Sequence, residues 1–314
     1  MPPAPTLLSR PSYRPYRAEV RAVRSLTPSF VRITFGCEAF EHFGTAGHDQ
    51  RVKLILPLPD GTFSDIGADD EEAMASGLWF QRWRETPTDQ RSPLRTYTIR
   101  RVDPVACEVD IDFVVHHDPG PAGAWAMKAQ VGQELLLVGP DARSEQSHLG
   151  LDWHPGTARR ILLAGDETAV PAVGAILEAL GEDHEVDAFL EVPTADDVVP
   201  FDLPPRFRVT WLARDGAEHG AQLRAALEQW CRDSPAVLAQ AASPRPQLVA
   251  DLDVDLELLW DSPEDSEGEF YAWMAGEAAT VKSLRRLLVS THGVDRRRVA
   301  FMGYWRLGQS ERQE

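Results

Sequence analysis

Cysteine and lysine are both scarce in this 314-residue chain, and each scarcity removes a class of function. The three cysteines, Cys37, Cys107 and Cys231, are odd in number and far apart in sequence. No disulfide framework, Cys-x-x-Cys redox pair or zinc ribbon is expected from them. An iron–sulfur cluster needs about four ligands, thiolates or a thiolate and histidine mixture, so redox chemistry here calls for a bound organic cofactor. The only lysines are Lys53, Lys128 and Lys282, and the net charge is -17 with no basic tail. Such a chain repels nucleic acid and anionic membrane. No apolar run approaches the ~18 residues of a membrane span. The opening Met1-Pro2-Pro3-Ala4-Pro5 lacks the basic and apolar blocks of a signal peptide, which points to the cytoplasm.

What is present reads as an ordinary globular protein, 43% hydrophobic and 26% charged, with room for roughly two domains at ~150 residues each. Residues 1–17 are proline-rich and read as an extended lead-in. Short alternating stretches then recur between turn residues: Val20 to Leu26, Phe30 to Phe35, Val52 to Leu56, the strand around Tyr97, Glu108 to Val115 and Glu134 to Pro140. About six strands with hardly any helical period predict a small antiparallel barrel over 18–145. A polar, Pro/Gly-bearing linker follows over 146–157. Strands then alternate with helices over 158–314, which predicts a parallel sheet that binds ligands beyond the carboxyl ends of its strands. Gly165-Asp166-Glu167-Thr168, Gly276-Glu277 and Gly303 stand at three such ends. Further on, Asp251, Asp253, Asp255 and Glu257 alternate with apolar residues. That pattern is explained by a solvated amphipathic strand, and no metal is expected there.

The stretch Leu94 to Arg101 carries the most chemistry. On a strand, Arg95, Tyr97 and Ile99 share one side, and Thr96, Thr98 and Arg100 take the other. An arginine that can hold phosphate bidentately beside a ring that can lie on a flat heterocycle suits a flavin nucleotide. Taken alone, these residues also fit an amphipathic strand with Arg and Tyr simply facing water. Likewise Gly120-Pro121-Ala122-Gly123, running into Trp125, reads either as backbone donors at a helix start that receive a pyrophosphate or as a plain capped turn.

In order along the chain, Arg95-Thr-Tyr-Thr-Ile-Arg100, Asp112-Phe-Val-Val-His116 through Gly120-Pro-Ala122 to Trp125-Ala126, Gly165-Asp-Glu-Thr-Ala-Val-Pro171, Gly276-Glu277 and Gly303-Tyr-Trp-Arg306 resemble the siderophore-interacting proteins. These ferric-siderophore reductases belong to the ferredoxin-reductase-like superfamily. The resemblance implies an N-terminal six-stranded FAD-binding barrel followed by a C-terminal NAD(P)H-binding α/β domain. It makes Arg95, Tyr97 and Thr98 the FAD contacts, with His116, Gly120, Pro121, Ala122 and Trp125 around the pyrophosphate and adenosine. It gives Gly165, Asp166, Glu167, Thr168, Gly276 and Glu277 to the nicotinamide nucleotide, and Tyr304, Trp305 and Arg306 to a carboxyl end returning to the flavin. Gly123 stands where relatives often have serine, and His117 where they often have glycine. Taken singly, Trp125 and Trp305 also fit core or lid aromatics, His116 a hydrogen-bonded structural residue, and Glu277 a first-turn acid on a helix dipole.

The implied reaction takes hydride from NADH or NADPH onto FAD and delivers single electrons to siderophore-bound ferric iron, which is released as ferrous. A ferric siderophore is frequently anionic, so a local cationic patch is expected, with Arg51, Lys53 and Arg100 as candidates. Arg214, just past an expected strand, is a candidate for a 2'-phosphate. The competing readings are a flavoreductase acting on free flavin, a quinone or a protein acceptor, and a non-catalytic ferric-chelate binder.

Overall fold

The computed structural model describes residues 10–44, 46–115, 119–247, 252–254 and 257–309. The described residues divide into two compact units: 10–25 together with Val31–Leu151, and Leu26–Phe30 together with 152–309.

The first unit holds β1 (Tyr13–Thr27), β2 (Phe30–Gly36), β3 (Arg51–Ile55), β4 (Leu94–Thr98), β5 (Arg101–Asp103), β6 (Glu108–Val114) and β7 (Glu134–Pro140), with short helices α1 (Glu71–Ser76), α2 (Trp79–Glu85) and α3 (Pro121–Ala126). The sheet order is β4-β3-β7-β1-β2-β6-β5. Its two edge strands are separated by only Ile99 and Arg100. The edges are therefore one continuous piece of chain bent at that point, which curls the sheet toward closure and removes a free edge. Counted that way, the barrel has the six strands expected.

Period-two alternation accounts for the core. Tyr16, Ala18, Val20, Ile33, Phe35, Val52, Leu54, Val109, Ile111, Phe113, Leu135 and Leu137 form one buried cluster. β7 is buried nearly end to end because Leu136 and Val138, on its other face, are covered by a second cluster with Ile55, Leu94, Ile66 and Trp83. The cover is the 56–93 segment carrying α1 and α2, helices too short to show a period in the sequence. Trp83 is fully buried, and its Nε1 donates to the Ser92 carbonyl at 2.8 Å.

The second unit is a sheet of β8 (Arg160–Gly165), β9 (Glu185–Val192), β10 (Phe207–Ala213), β11 (Trp260–Asp261), β12 (Phe270–Glu277) and β13 (Val299–Trp305) in the order β10-β9-β8-β12-β13-β11. All pairings are parallel except that of β11 with β13. The helices are α4 (Val170–Ala179), α5 (Ala221–Asp233), α6 (Pro235–Ala241) and α7 (Ala278–Arg285). β12 is buried at all eight positions, as expected of a central parallel strand.

Three expectations are corrected. The lead-in is shorter, because β1 begins at Tyr13 and pairs Tyr13 with Pro140, seating Pro15 opposite Val138. Part of the expected linker is packed: Asp152 and Trp153 are buried, with Asp152 accepting from Trp260 Nε1 and Tyr271 Oη. The alternating acidic stretch is not a strand at its described residues. Glu257 N bonds back to the Asp253 carbonyl at 2.7 Å, a turn, while Leu252 and Val254 pack on the α/β core. Asp251 and Asp255 lie outside the described residues.

Candidate functional site

Register decides which way the β4 residues face. Val52 stands opposite Tyr97 and Leu54 opposite Arg95, so Arg95 and Tyr97 take the face of the barrel core. Both are half-buried. Arg95 Nη1 donates to the Leu94 carbonyl at 2.8 Å, and the Tyr97 ring lies 4.6 Å from Phe113 at 43°. Thr98, on the other face, is buried.

Phe113 is the residue that joins the two halves of the expected flavin site. Trp125 of α3 lies 6.2 Å from it and stacks on Phe35 at 16°. Ala122 is buried in the same cluster. Gly120 precedes α3, with Pro121 in the first turn, and a Cβ added at Gly120 would meet nothing within 4 Å. Gly123 is tighter, because an added Cβ would lie 3.0 Å from Pro119. A cation and a ring on one face, beside an open glycine entry to a helix, form a donor set that fits a phosphate joined to a flat heterocycle. His116 and His117 lie outside the described residues. Phe113 was legible only as one more apolar position of the Glu108 to Val115 alternation.

The candidate substrate cations do not share that face. Arg51 stands opposite Thr98 and Lys53 opposite Thr96, with Lys53 Nζ donating to Thr96 Oγ1 at 2.6 Å. Arg51 Nε reaches the Gly150 carbonyl at 3.4 Å. Arg100 is corrected as a substrate contact. Its side chain is 9% exposed and 3.8 Å from Asp112, which also takes both arms of Arg32 at 2.6 and 2.8 Å.

In the second unit, parallel register sets the glycine motifs side by side. Gly165 pairs with Ala275, Gly276 with Gly303, and Glu277 with Trp305 across a bulge. Asp166 lies at the centre. Its Oδ1 accepts from Thr168 N at 2.9 Å and Thr168 Oγ1 at 2.5 Å. Its Oδ2 accepts from Glu277 N at 2.7 Å and Trp305 Nε1 at 2.8 Å. Burial, then the neighbouring Glu167, push the Asp166 carboxyl above its ordinary value, against the pull of these donors. Asp166 thus ties three strand ends together and aims the Trp305 ring, which meets His219 edge-on at 5.1 Å. Gly276 has φ 142°, and a Cβ there would lie 2.6 Å from Asp166 Oδ2. Gly276→Ala is expected to cost about 3 kcal/mol through backbone strain and displacement of that carboxylate. Urea denaturation followed by tryptophan fluorescence measures it, and a midpoint equal to wild type would exclude the clash.

Glu167 is corrected from nucleotide contact to structural partner. It is fully buried, and Arg214 grips it with both arms at 2.8 and 2.9 Å. Arg214 also reaches Glu191 at 3.3 Å, while Glu191 accepts from Gly220 N and Leu223 N at the start of α5. A guanidinium so enclosed between two carboxylates is not offered to a 2'-phosphate, which removes Arg214 from that role. Glu277 caps α7, its carboxylate accepting from Thr280 N at 2.8 Å. Among the candidates here, Thr168, Tyr304, Trp305 and Arg306 remain half-buried. Tyr304 stacks on Trp260 at 19°, and Arg306 Nη2 donates to the Glu257 carbonyl at 2.5 Å.

Among the described residues no group of three or more His, Cys, Asp or Glu side chains is arranged for a metal ion. Among the described residues no helix is long and apolar enough to cross a membrane.

Comparison with known proteins assigns both units. Residues 19–144 match the siderophore-interacting FAD-binding domain, and residues 158–308 match the siderophore-interacting protein model. A siderophore utilization protein from T. fusca superposes with a TM-score of 0.65 at 30% identity, covering 96% of each chain. An uncharacterized protein of Mycobacterium tuberculosis is 33% identical over 95% of this chain and 93% of its own. The ferric vibriobactin reductase of Vibrio cholerae is 31% identical over 69% of this chain and 66% of its own. The chain therefore belongs to the siderophore-interacting protein family, with its FAD-binding domain in the first unit.

Proposed function

We propose that this protein passes electrons from NADH or NADPH through FAD to ferric iron held in a siderophore, releasing ferrous iron in the cytoplasm. The observation that carries the reading is the shared face of Arg95 and Tyr97 on β4, with Trp125 and Tyr97 meeting on Phe113. FAD, when bound, supplies the conversion between a two-electron hydride donor and a one-electron acceptor. Arg95 would hold its phosphate and Tyr97 its ring. Thr98 and the Gly120–Pro121–Ala122 entry to α3 would close around it, with Trp125 bracing Phe113 from behind.

At the strand ends of the second unit, Gly165 and Gly276 let Ala169 and Asp166 pack tightly on the backbone beside the place where a nicotinamide nucleotide would lie. Thr168, Tyr304, Trp305 and Arg306 would face it, and Asp166 would keep the Trp305 ring in one orientation. Hard oxygen donors hold ferric iron more tightly than ferrous, so reduction loosens the chelate. Lys53 and Arg51 would draw an anionic chelate to a chain whose net charge is -17. The name of the V. cholerae relative, a ferric vibriobactin reductase, supports this substrate class.

The purified protein is expected to be yellow, to bleach anaerobically with NADH or NADPH, and to recover its colour on adding a ferric siderophore while a ferrous trap develops. A protein that takes up no FAD, or that bleaches and then reduces free flavin or quinone but no ferric chelate, overturns the reading.

A further inference from the structure

Cys37 and Cys107 are 70 positions apart in the chain, yet the fold sets them face to face. β2 and β6 are neighbours in the sheet. Their register is marked by Arg32 against Asp112 and Thr34 against Asp110. Continued outward, that register brings Cys37, just after β2, opposite Cys107, just before β6. The ladder does continue so far, because Cys37 N donates to the Cys107 carbonyl at 3.2 Å. That bond brings the two backbones together just beyond the ends of β2 and β6. Both side chains lie at the margin of the barrel core, and both are half-buried.

Both cysteines also line one cavity of about 420 Å³, together with Arg21, Glu38, Glu41 and Glu108. Cys107 holds φ at 55°, a left-handed conformation unusual for a residue with a side chain. Its Sγ lies 3.6 Å from the carbonyls of Glu38 and Pro104. Cys231 stands apart in α5, 2% exposed, its thiol pushed up to about 11 by burial. The sequence alone gave no hint of a pair, because separation along the chain says nothing about opposition across a ladder.

We propose that Cys37 and Cys107 form a modification site, a cross-strand dithiol that a small-molecule disulfide converts to an intramolecular disulfide joining the ends of β2 and β6. One cysteine thiolate attacks the reagent disulfide, forming a mixed disulfide and releasing one reagent thiol. The second cysteine thiolate attacks the cysteine sulfur of that mixed disulfide and releases the other reagent thiol. The two cysteines are oxidised by two electrons, and the reagent is reduced to two thiols. The new link closes a loop containing β3, β4 and β5, and with them Arg95 and Tyr97. Burial raises the Cys37 thiol above its ordinary value, so the exchange quickens toward alkaline pH as more thiolate forms.

The test exposes the intact, FAD-loaded protein to oxidised glutathione, then counts free thiols after denaturation and maps peptides without reduction. The expected result is loss of two of the three thiols, a linked Cys37–Cys107 peptide and a raised melting temperature that dithiothreitol reverses. Cys107→Ser is expected to keep a glutathione adduct on Cys37, and Cys37→Ser one on Cys107. Stable glutathione adducts on both cysteines of the wild-type protein, a link involving Cys231, or three thiols surviving would each overturn the proposal.

Discussion

An Arg95→Ala protein is expected to fold as the wild type does and to bind FAD about 10- to 100-fold more weakly, the equivalent of one charge-assisted hydrogen bond of roughly 1.5–3 kcal/mol. The reasoning separates binding from folding. Arg95 is half-buried on an edge strand, where its Nη1 donates to the carbonyl of its own neighbour, Leu94. Tyr97, by contrast, packs on Phe113 within the barrel core, so truncating it disturbs packing as well as any ligand. Titration of the apoprotein with FAD, followed by flavin fluorescence, gives the affinity, and thermal unfolding of the apoprotein gives the fold. Unchanged FAD affinity would place the phosphate elsewhere and remove the central support for the flavin site.

The second large effect is expected at Asp166. Asp166→Ala leaves Thr168 N, Glu277 N and Trp305 Nε1 without their acceptor. At about 1–3 kcal/mol for the stranded buried Glu277 N, and less for each of the half-buried Thr168 N and Trp305 Nε1, the second unit should lose roughly 3–6 kcal/mol. Its melting temperature should fall by about 6 °C or more, at roughly 2–4 °C per kcal/mol for a unit of this size.

Asp166→Asn separates charge from shape. Burial and then Glu167 raise the folded-state carboxyl above the ordinary 3.8, so between that value and the raised one the folded chain holds a proton that the unfolded chain has released. The stability this contributes is fully present below 3.8 and is lost as pH rises through the raised value. Carboxylates such as Asp295, which Arg297 holds below its ordinary value, contribute the opposite slope, so the comparison must be wild type against variant. The difference in stability between wild type and Asp166→Asn should therefore change steadily across that window, to the disadvantage of wild type at higher pH. A difference independent of pH would mean that Asp166 is ionised throughout. Above the raised value tryptophan emission should shift as well, because there Trp305 loses a charged acceptor.

Much of this protein was readable before any fold was known. Alternation at Val20, Ile33, Phe35, Ile111 and Phe113 specified buried strands, because a pleat sends successive side chains to opposite sides whatever lies around it. The apolar runs at 161–164 and 270–275 specified central parallel strands for a related reason, since both their faces are covered. Motif order, from Arg95-Thr-Tyr-Thr to Gly303-Tyr-Trp-Arg, carried the family. These are local properties, set by backbone geometry and by residues close together in the chain.

What only the tertiary structure decided concerns partners distant in sequence. Glu167 and Arg214 both read as ligand contacts until register and loop placement turned them on each other and buried the pair. Arg100 read as a free cation until β6 brought Asp112 beside it. Asp166 read as one of four residues in a turn, and became the point where three strand ends are joined. Cys37 and Cys107 read as unrelated. A charged or reactive side chain takes its role from whatever neutralises, buries or opposes it, and that neighbour is supplied by another strand.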